Sequence, residues 1–478
     1  MDKYDLIVVG TGSAMNYIDH ILQDHPGMKI AVIDRDEPGG ICLTRACIPS
    51  KLLLYPAELI RNIQRSAEFG IDARIENIDF RRVMEDMRGN IGEDIELIRQ
   101  SLIHSDDVDY FRETAEFVAP YTMKVGDQTI SAKKIFLCTG SRPSVPPVKG
   151  LDKINYHTSD SIINLTERPS SILIIGGGYV AAEYGHFFSS MGTQVTIVGR
   201  NPFLLPGEER EISVLARKVM SRYMDIWTNH EIVEIEDAGD GQKKTVARDR
   251  DTGDHKEIIV DEILVATGRT PNSDILHPDK GGIETDDRGW IKVNEYLETS
   301  MENVWAMGDC NGKYLFKHVG NYESMVVYYN AFKNKKIKTD YHAVPHAVFS
   351  HPEIAGVGMA ENEVISAYGR ENVIIGFSRF EDTAKGQAMK VRDYFVKVIL
   401  TKDGRIVGAH IIGPQASVLI HEIIPLMYTL TRSADPIMRC IDIHPSLSEV
   451  VRRAFYSLAK PQHYHHILEH MGLEGSDA

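Results

Sequence analysis

Two cysteines five positions apart, Cys42 and Cys47 in GGICLTRACIPSK (residues 39–51), are the densest pairing of reactive groups in the chain. A thiolate can ligate a soft metal, sit in a disulfide, or attack one. A structural zinc site needs four ligands, usually with a second close pair of cysteines or histidines. Cys138, Cys310 and Cys440 stand singly, so no metal site is expected. A permanent structural disulfide belongs to oxidising compartments, and five cysteines in 478 residues do not make a secreted disulfide scaffold. Two packed free thiols or a redox pair remain. The redox reading carries a geometric condition. Five residues of regular helix rise about 7.5 Å, beyond the roughly 4.4–6.8 Å between the Cα atoms of a disulfide. The first turn must therefore be distorted. Pro49 suits that turn. A helix N-terminus lowers a thiol pKa, and Arg45 is expected to add to the effect.

Other chemistry-bearing residues are spread along the chain. IHPSLSE (443–449) offers His444 and Glu449. Imidazole titrates near neutrality and can protonate a leaving thiolate, and a carboxylate can orient it. In the first of two glycine turns, Gly10 and Gly12 follow a strand, and Asp34 ends the next strand, where an acid takes a ribose hydroxyl pair. Met15 stands where a third glycine would allow close helix packing. In the second turn Gly176, Gly178 and Ala181 complete G-x-G-x-x-A, and Gly199-Arg200 replaces the acid. Arginine there suits the 2′-phosphate of NADP, so NADPH is the expected second nucleotide, with NADH as the alternative. Asp309, in MGDC, ends a later strand, placed to bond a sugar-alcohol chain or to cap the next turn.

The elements that must position these groups form an internal duplication. YDLIVVGTGSA and KIAVIDRD read as strand, turn, helix and strand, and KKIFLCTGSRP closes the unit with a strand ending at Thr139-Gly140. SSILIIGGGYVAAEYGHFFSSMGTQVTIVGR repeats the pattern, and DEILVATGRTPN closes it at Thr267-Gly268. Residues 52–70 and 80–103 carry helical apolar spacing. After about residue 341 the texture becomes α+β, with SVLIHEIIPLMYTL and SEVVRRAFYSLA read as helices. The expected division is 1–150 for the first nucleotide unit, 151–271 for the second, 272–340 completing the first, and 341–478 for the α+β unit. A net charge of −15 argues against a nucleic-acid surface. No apolar run reaches the length of a membrane span. MDKYDLIVVG lacks the order of a signal peptide, so a cytoplasmic enzyme is expected. The tail segment HYHHILEH reads as a solvated helix.

From residue 4 to about residue 457 the chain resembles the class I pyridine nucleotide–disulfide oxidoreductases, which include dihydrolipoamide dehydrogenase, glutathione reductase, mercuric reductase and mycothione reductase. The resemblance rests on GGICLTRACIPSK, both glycine turns, MGDC and IHPSLSE, all in the family's order. It implies an α/β fold of two Rossmann-like domains, for FAD and NAD(P), followed by an α+β dimerisation domain. FAD would be bound by Gly10, Gly12, Asp34, Thr139, Gly140 and Asp309, and NADP by Gly176, Gly178, Tyr179, Ala181, Arg200 and Gly268. Cys47 matches the flavin-side thiolate and Cys42 the interchange thiol. Lys51 and Glu183 match an ion pair beside the flavin, and Tyr179 a ring over the nicotinamide pocket. His444 and Glu449 match an acid/base pair that reaches the other subunit, implying a homodimer acting on a small disulfide or dithiol.

NYHTSDSI, YLFKHVGNYES, AVFSHPEIAGVG and GAHIIGPQAS look most like mycothione reductase. Absence of cysteine after Cys440 sets aside mercuric reductase and the large thioredoxin reductases. Dihydrolipoamide dehydrogenase is the alternative reading, and a flavoprotein scaffold with a vestigial redox site is a third. Thr44-Arg45-Ala46 departs from the family's Asn-Val-Gly between the cysteines. Arg45 is thus read as binding an acidic substrate group or as lowering a thiol pKa.

Overall fold

The protein is described by a computed structural model covering residues 2–333 and 335–474. In the first sheet the central strand Asp2–Val9 lies between parallel neighbours Ile30–Ile33 and Gln128–Leu137, with Val108–Phe111 beyond the former. Val304–Ala306 pairs in parallel with the end of Gln128–Leu137, whose start pairs with the antiparallel strand Thr122–Val125. The second sheet is entirely parallel, in the order Asp225–Thr228, Gln194–Gly199, Ser171–Ile175, Glu262–Val265, His157–Thr158. A parallel sheet covered on both faces calls for continuous apolar runs. Leu6, Ile7, Val8, Leu173 and Ile174 accordingly lose all their accessible surface.

The duplication extends to individual atoms. Gly10 N–H bonds Ile33 O and Cys138 N–H bonds Val9 O, both at 2.8 Å. Gly176 N–H bonds Val198 O and Ala266 N–H bonds Ile175 O at the same 2.8 Å. Each leading glycine crosses against the residue before Thr-Gly. A Cβ on Gly10 would stand 2.2 Å from Cys138 O, and one on Gly176 2.2 Å from Ala266 O. Both have positive φ, +108° and +131°, so glycine is required twice over. The copies diverge at the third position. After the second turn the chain enters the α-helix Tyr179–Ser190 directly, with Ala181 fully buried. After the first turn it runs through a 3₁₀ segment, Ser13–Tyr17, and becomes α-helical only over Ile18–Asp24. Met15 is too large for the close helix approach a glycine allows.

The helix Cys47–Gln64 carries Leu53, Leu54, Ala57 and Ile60 at helical spacing, all buried in one cluster with Phe80, Phe187 and Phe188. It thereby joins the redox loop to both Phe80–Ile103 and Tyr179–Ser190. Truncating Leu53 to Ala there costs about 2–5 kcal/mol.

The C-terminal part is a six-stranded antiparallel sheet, ordered Pro345–Val348, Ile354–Gly358, Ile406–Ile412, Phe395–Thr401, Val373–Arg379, Leu458–Ala459. The helix expected over SVLIHEIIPLMYTL is broken into Ala416–Leu419, a 3₁₀ turn and Ile424–Met427. Pro425 lacks the N–H that a continuous helix would use.

The tail helix Pro461–Met471 is not solvated all round, contrary to expectation: Tyr464 and Leu468 are buried. Tyr464 OH donates to Glu211 Oε1 at 2.6 Å. Glu211 belongs to a fully buried charge cluster in which Lys397 Nζ meets Glu209, Glu211 and Glu361 at 3.2, 2.7 and 2.8 Å. Four separate segments, around Glu209–Glu211, Glu361, Lys397 and Tyr464, are tied together here. Among the described residues, no helix is long and apolar enough to cross a membrane.

Candidate active site

A short helix and a long one meet at a break between the cysteines. Cys42 lies in Gly40–Thr44 and Cys47 opens Cys47–Gln64, with Arg45 and Ala46 in non-helical conformations between them. This is the distortion that a redox pair requires. Both sulfurs are free thiols here, and each acts on the ionisation of the other. Interaction with the Cys42 thiol is the main cause of a Cys47 pKa lowered to about 7, with Lys51 assisting against burial. The same interaction, with burial, pushes the Cys42 thiol well up.

Arg45 does not contribute as expected. Its guanidinium is held by Asp36 at 2.5 Å and Asp160 at 3.3 Å. With its charge engaged by two carboxylates, it ties the redox loop to the segments that carry Asp36 and Asp160. The cation beside Cys47 is Lys51, whose Nζ lies 2.9–3.0 Å from both oxygens of Glu183. Glu183 is buried and also accepts the Phe349 N–H at 3.0 Å, while the Phe349 ring lies under Lys51 Nζ, 4.5 Å from its centroid.

One continuous cavity of about 1250 Å³ collects nearly all the expected cofactor residues. Gly10, Gly12, Asp34, Thr139, Gly140 and Asp309 line it on one side, and Gly176, Gly178, Tyr179, Arg200 and Gly268 on the other. Cys42, Cys47, Lys51 and Glu183 lie on the same wall system. Ala181 does not reach it; as a buried helix residue it serves packing.

The lining fits a dinucleotide on chemical grounds. Thr139 Oγ1 is buried without a partner, a donor and acceptor waiting for a ligand. Asp34 accepts from Thr11 N–H and Oγ1 at 2.8 and 2.6 Å and keeps lone pairs to spare. Burial raises its pKa, and the Thr11 and Asp36 donors oppose that. Asp309 accepts from Ser141 Oγ, which accepts in turn from Arg269 Nε at 2.6 Å. Burial raises its pKa also. Tyr179 stands at the mouth of the second turn, its ring 6.5 Å from that of Phe316.

Sequence reasoning missed several supports. Glu323, fully buried, accepts from Gly308 N–H at 2.6 Å, Asn311 Nδ2 at 3.0 Å and Tyr341 OH at 2.6 Å, and so fixes the loop that carries Asp309. Arg250, on the turn after Gln242–Asp249, donates to Arg200 O at 2.8 Å. Among the described residues neither Arg200 nor Arg250 is ion-paired, although both act on Glu231. No local motif marks any of these.

His444 and Glu449 are brought to each other and not to the cysteines. His444 Nδ1 lies 3.0 Å from Glu449 Oε1, and Glu449 also accepts the Ser446 N–H at 3.2 Å. Its hydrogen bond with His444 lowers the Glu449 pKa. The imidazole is 69% exposed, and neither residue lines the cavity.

Comparison with known proteins settles the class. The sequence profile of the pyridine nucleotide-disulphide oxidoreductases matches residues 4–347, and that of their dimerisation domain residues 344–455. The chain belongs to this family. As in the rest of it, FAD and NAD(P)H are the cofactors and sulfur groups the reactants. Mycothione reductase of Mycobacterium tuberculosis is 33% identical over 476 residues, covering 96% of this chain and 100% of the relative. Dihydrolipoyl dehydrogenase of Synechocystis is 32% identical over 477 residues, covering 95% and 98%. Among solved structures, the Cu(II) complex of the HOCl-induced flavoprotein disulfide reductase RclA from Escherichia coli superposes with a TM-score of 0.84 at 26% identity, covering 95% of this chain and 99% of that one. An oxidoreductase of the flavoprotein disulfide reductase class is therefore the plain reading.

Proposed function

We propose that the protein is an NADPH-dependent, mycothione reductase-like enzyme that reduces a small disulfide through Cys42 and Cys47. The observation that carries this reading is the polarised thiol pair, set between two glycine-turn nucleotide clefts in one cavity. Residues 1–150 with 272–340 would form the FAD unit, 151–271 the NADP unit and 341–478 the dimerisation unit. FAD would be held by Gly10, Gly12, Asp34, Thr139, Gly140 and Asp309, and would supply the two-electron link between the nicotinamide and the Cys42–Cys47 disulfide.

The chain's own groups do the rest. Reduction leaves Cys47 as the thiolate and Cys42 as the thiol, the state their interaction favours. His444 of the partner subunit removes the Cys42 proton. Cys42 then attacks one sulfur of the substrate, forming a mixed disulfide, and the departing thiolate takes the proton back from that imidazole. Cys47 attacks Cys42 Sγ, remaking the disulfide and releasing the second thiolate, which solvent protonates. The balance is NADPH, one proton and a disulfide in, NADP⁺ and two thiols out.

A homodimer is supported by the apolar surface around the dyad. Leu430, Ile441 and Ile443 are almost wholly exposed, with Tyr428 and Tyr456 more than half exposed, far more than a single soluble unit needs to leave open. NADPH is supported by Arg200 and Arg250 at the end of Gln194–Gly199. A reducing cytoplasm suits the cycle. The test is Cys42→Ser, which should abolish disulfide reduction and leave NADPH reduction of the flavin intact; undiminished turnover would sink the proposal. Dihydrolipoyl dehydrogenase is the second reading, favoured by the 32% identity to that enzyme. It demands rapid NAD⁺ reduction by dihydrolipoamide.

A further inference from the structure

The tail helix presents two imidazoles to solvent with their Nε2 atoms 3.1 Å apart, those of His466 and His470. Four residues of spacing stack the two on one helix face, ring centroids 4.4 Å apart. His466 Nδ1 lies 3.0 Å from Glu469 Oε2. That contact selects the tautomer: Nδ1 carries the hydrogen, and the Nε2 lone pair faces His470. The opposite face anchors the helix. Tyr464 and Leu468 are buried, and His465 reaches Glu361 at 2.8 Å and Glu474 at 2.9 Å. The two rings thus stand on a rigid element, which reduces the ordering needed to bind a ligand.

We infer that His466 and His470 form a surface chelate for a borderline divalent transition ion, with Glu469 orienting the first ligand. Metal–nitrogen bonds of about 2.0–2.1 Å, combined with the observed spacing, give an N–metal–N angle of roughly 100°. Such an angle fits a cis pair in a tetragonal Ni(II) or Cu(II) shell as well as a pair in a tetrahedral one. Water completes the shell. The buried carboxylates Glu209, Glu211 and Glu361 also have ligand-like spacing, but Lys397 Nζ already stands among them.

The test is calorimetric titration of the FAD-loaded enzyme with Ni²⁺, comparing wild type, the His466→Gln/His470→Gln double variant and Glu469→Gln. All cysteines are common to the three proteins, so differences report the helix alone. The wild type should bind one Ni²⁺ per chain that the double variant does not bind. Glu469→Gln should bind it about tenfold more weakly. Unchanged flavin reduction by NADPH in both variants would show that the fold is intact. Superimposable isotherms for wild type and double variant would overturn the inference, as would a Glu469→Gln isotherm identical to wild type.

Discussion

Cys42 and Cys47 shift each other's ionisation in opposite directions, Cys47 down and Cys42 up, so the reduced pair is polarised before any substrate arrives. Cys47 sits at the N-terminus of an 18-residue helix with Lys51 one turn on, and its pKa falls from an ordinary 9.0 to about 7. Which of the two sulfurs carries the negative charge is therefore set by local structure.

A pH dependence follows. Because the folded pKa of Cys47 is depressed, its contribution to stability is full above the ordinary thiol pKa and is lost as pH falls through about 7. Long-wavelength absorbance from the thiolate beside FAD should fade over the same interval in the two-electron-reduced enzyme. Cys42→Ala removes the neighbouring thiol and should move that transition upward. Cys42→Ser keeps a hydroxyl there and should move it less. An alanine variant titrating like wild type would contradict the assignment.

Lys51 and Glu183 make a second case. Glu183 is buried with Lys51 and the Phe349 N–H as its donors. Lys51→Met should slow flavin reduction by NADPH roughly a hundredfold, the scale for removing one preorganised charge. It should also cost about 1–3 kcal/mol of stability, because the carboxylate loses a partner. Stopped-flow reduction and denaturant unfolding read the two effects separately.

Nucleotide choice is predicted to lie with two arginines that follow different strands, Gln194–Gly199 and Gln242–Asp249. Arg200→Ala and Arg250→Ala should each lower kcat/KM for NADPH by about ten- to a hundredfold, the worth of a charged hydrogen bond, and leave NADH unchanged. Equal losses with both nucleotides would mean that the pair only braces the hairpin.

Sharing of the site between subunits can be tested by mixing. His444→Gln should lower disulfide turnover by roughly 10²–10⁴-fold with flavin reduction intact. Hybrid dimers of Cys42→Ser and His444→Gln subunits should regain turnover, since one of their two sites is then complete. Activity no higher than either parent would refute a shared site.

Much of this was legible in the sequence, for definite reasons. The glycine turns announce themselves because Gly10 and Gly176 must pass within reach of Cys138 and Ala266, and no other residue fits. Cys42, Cys47 and the His444–Glu449 pair are local patterns, whereas Lys51 rests on family likeness. Glu183 falls inside an otherwise apolar helix and was identified through family likeness. What stayed hidden depends on tertiary approach. Arg45 looked like a free cation, but Asp36 and Asp160 come from other loops to hold it. Glu323 reaches the Asp309 loop across a helix, and Arg250 reaches Arg200 across a hairpin. The tail looked solvated because its histidines outnumber its apolar residues, yet Tyr464 finds the buried Glu211 some 253 positions earlier in the chain.

The most direct test is anaerobic reduction of the FAD-loaded enzyme, with NADPH and NADH in separate cuvettes, followed by the disulfide forms of mycothiol, lipoamide, glutathione, coenzyme A and cysteine. The account predicts rapid bleaching by NADPH in preference to NADH, a long-wavelength band from the Cys47 thiolate, and return of the oxidised spectrum with mycothione. Flavin that NADPH does not bleach, or reoxidation by disulfide that survives Cys42→Ser, would contradict it.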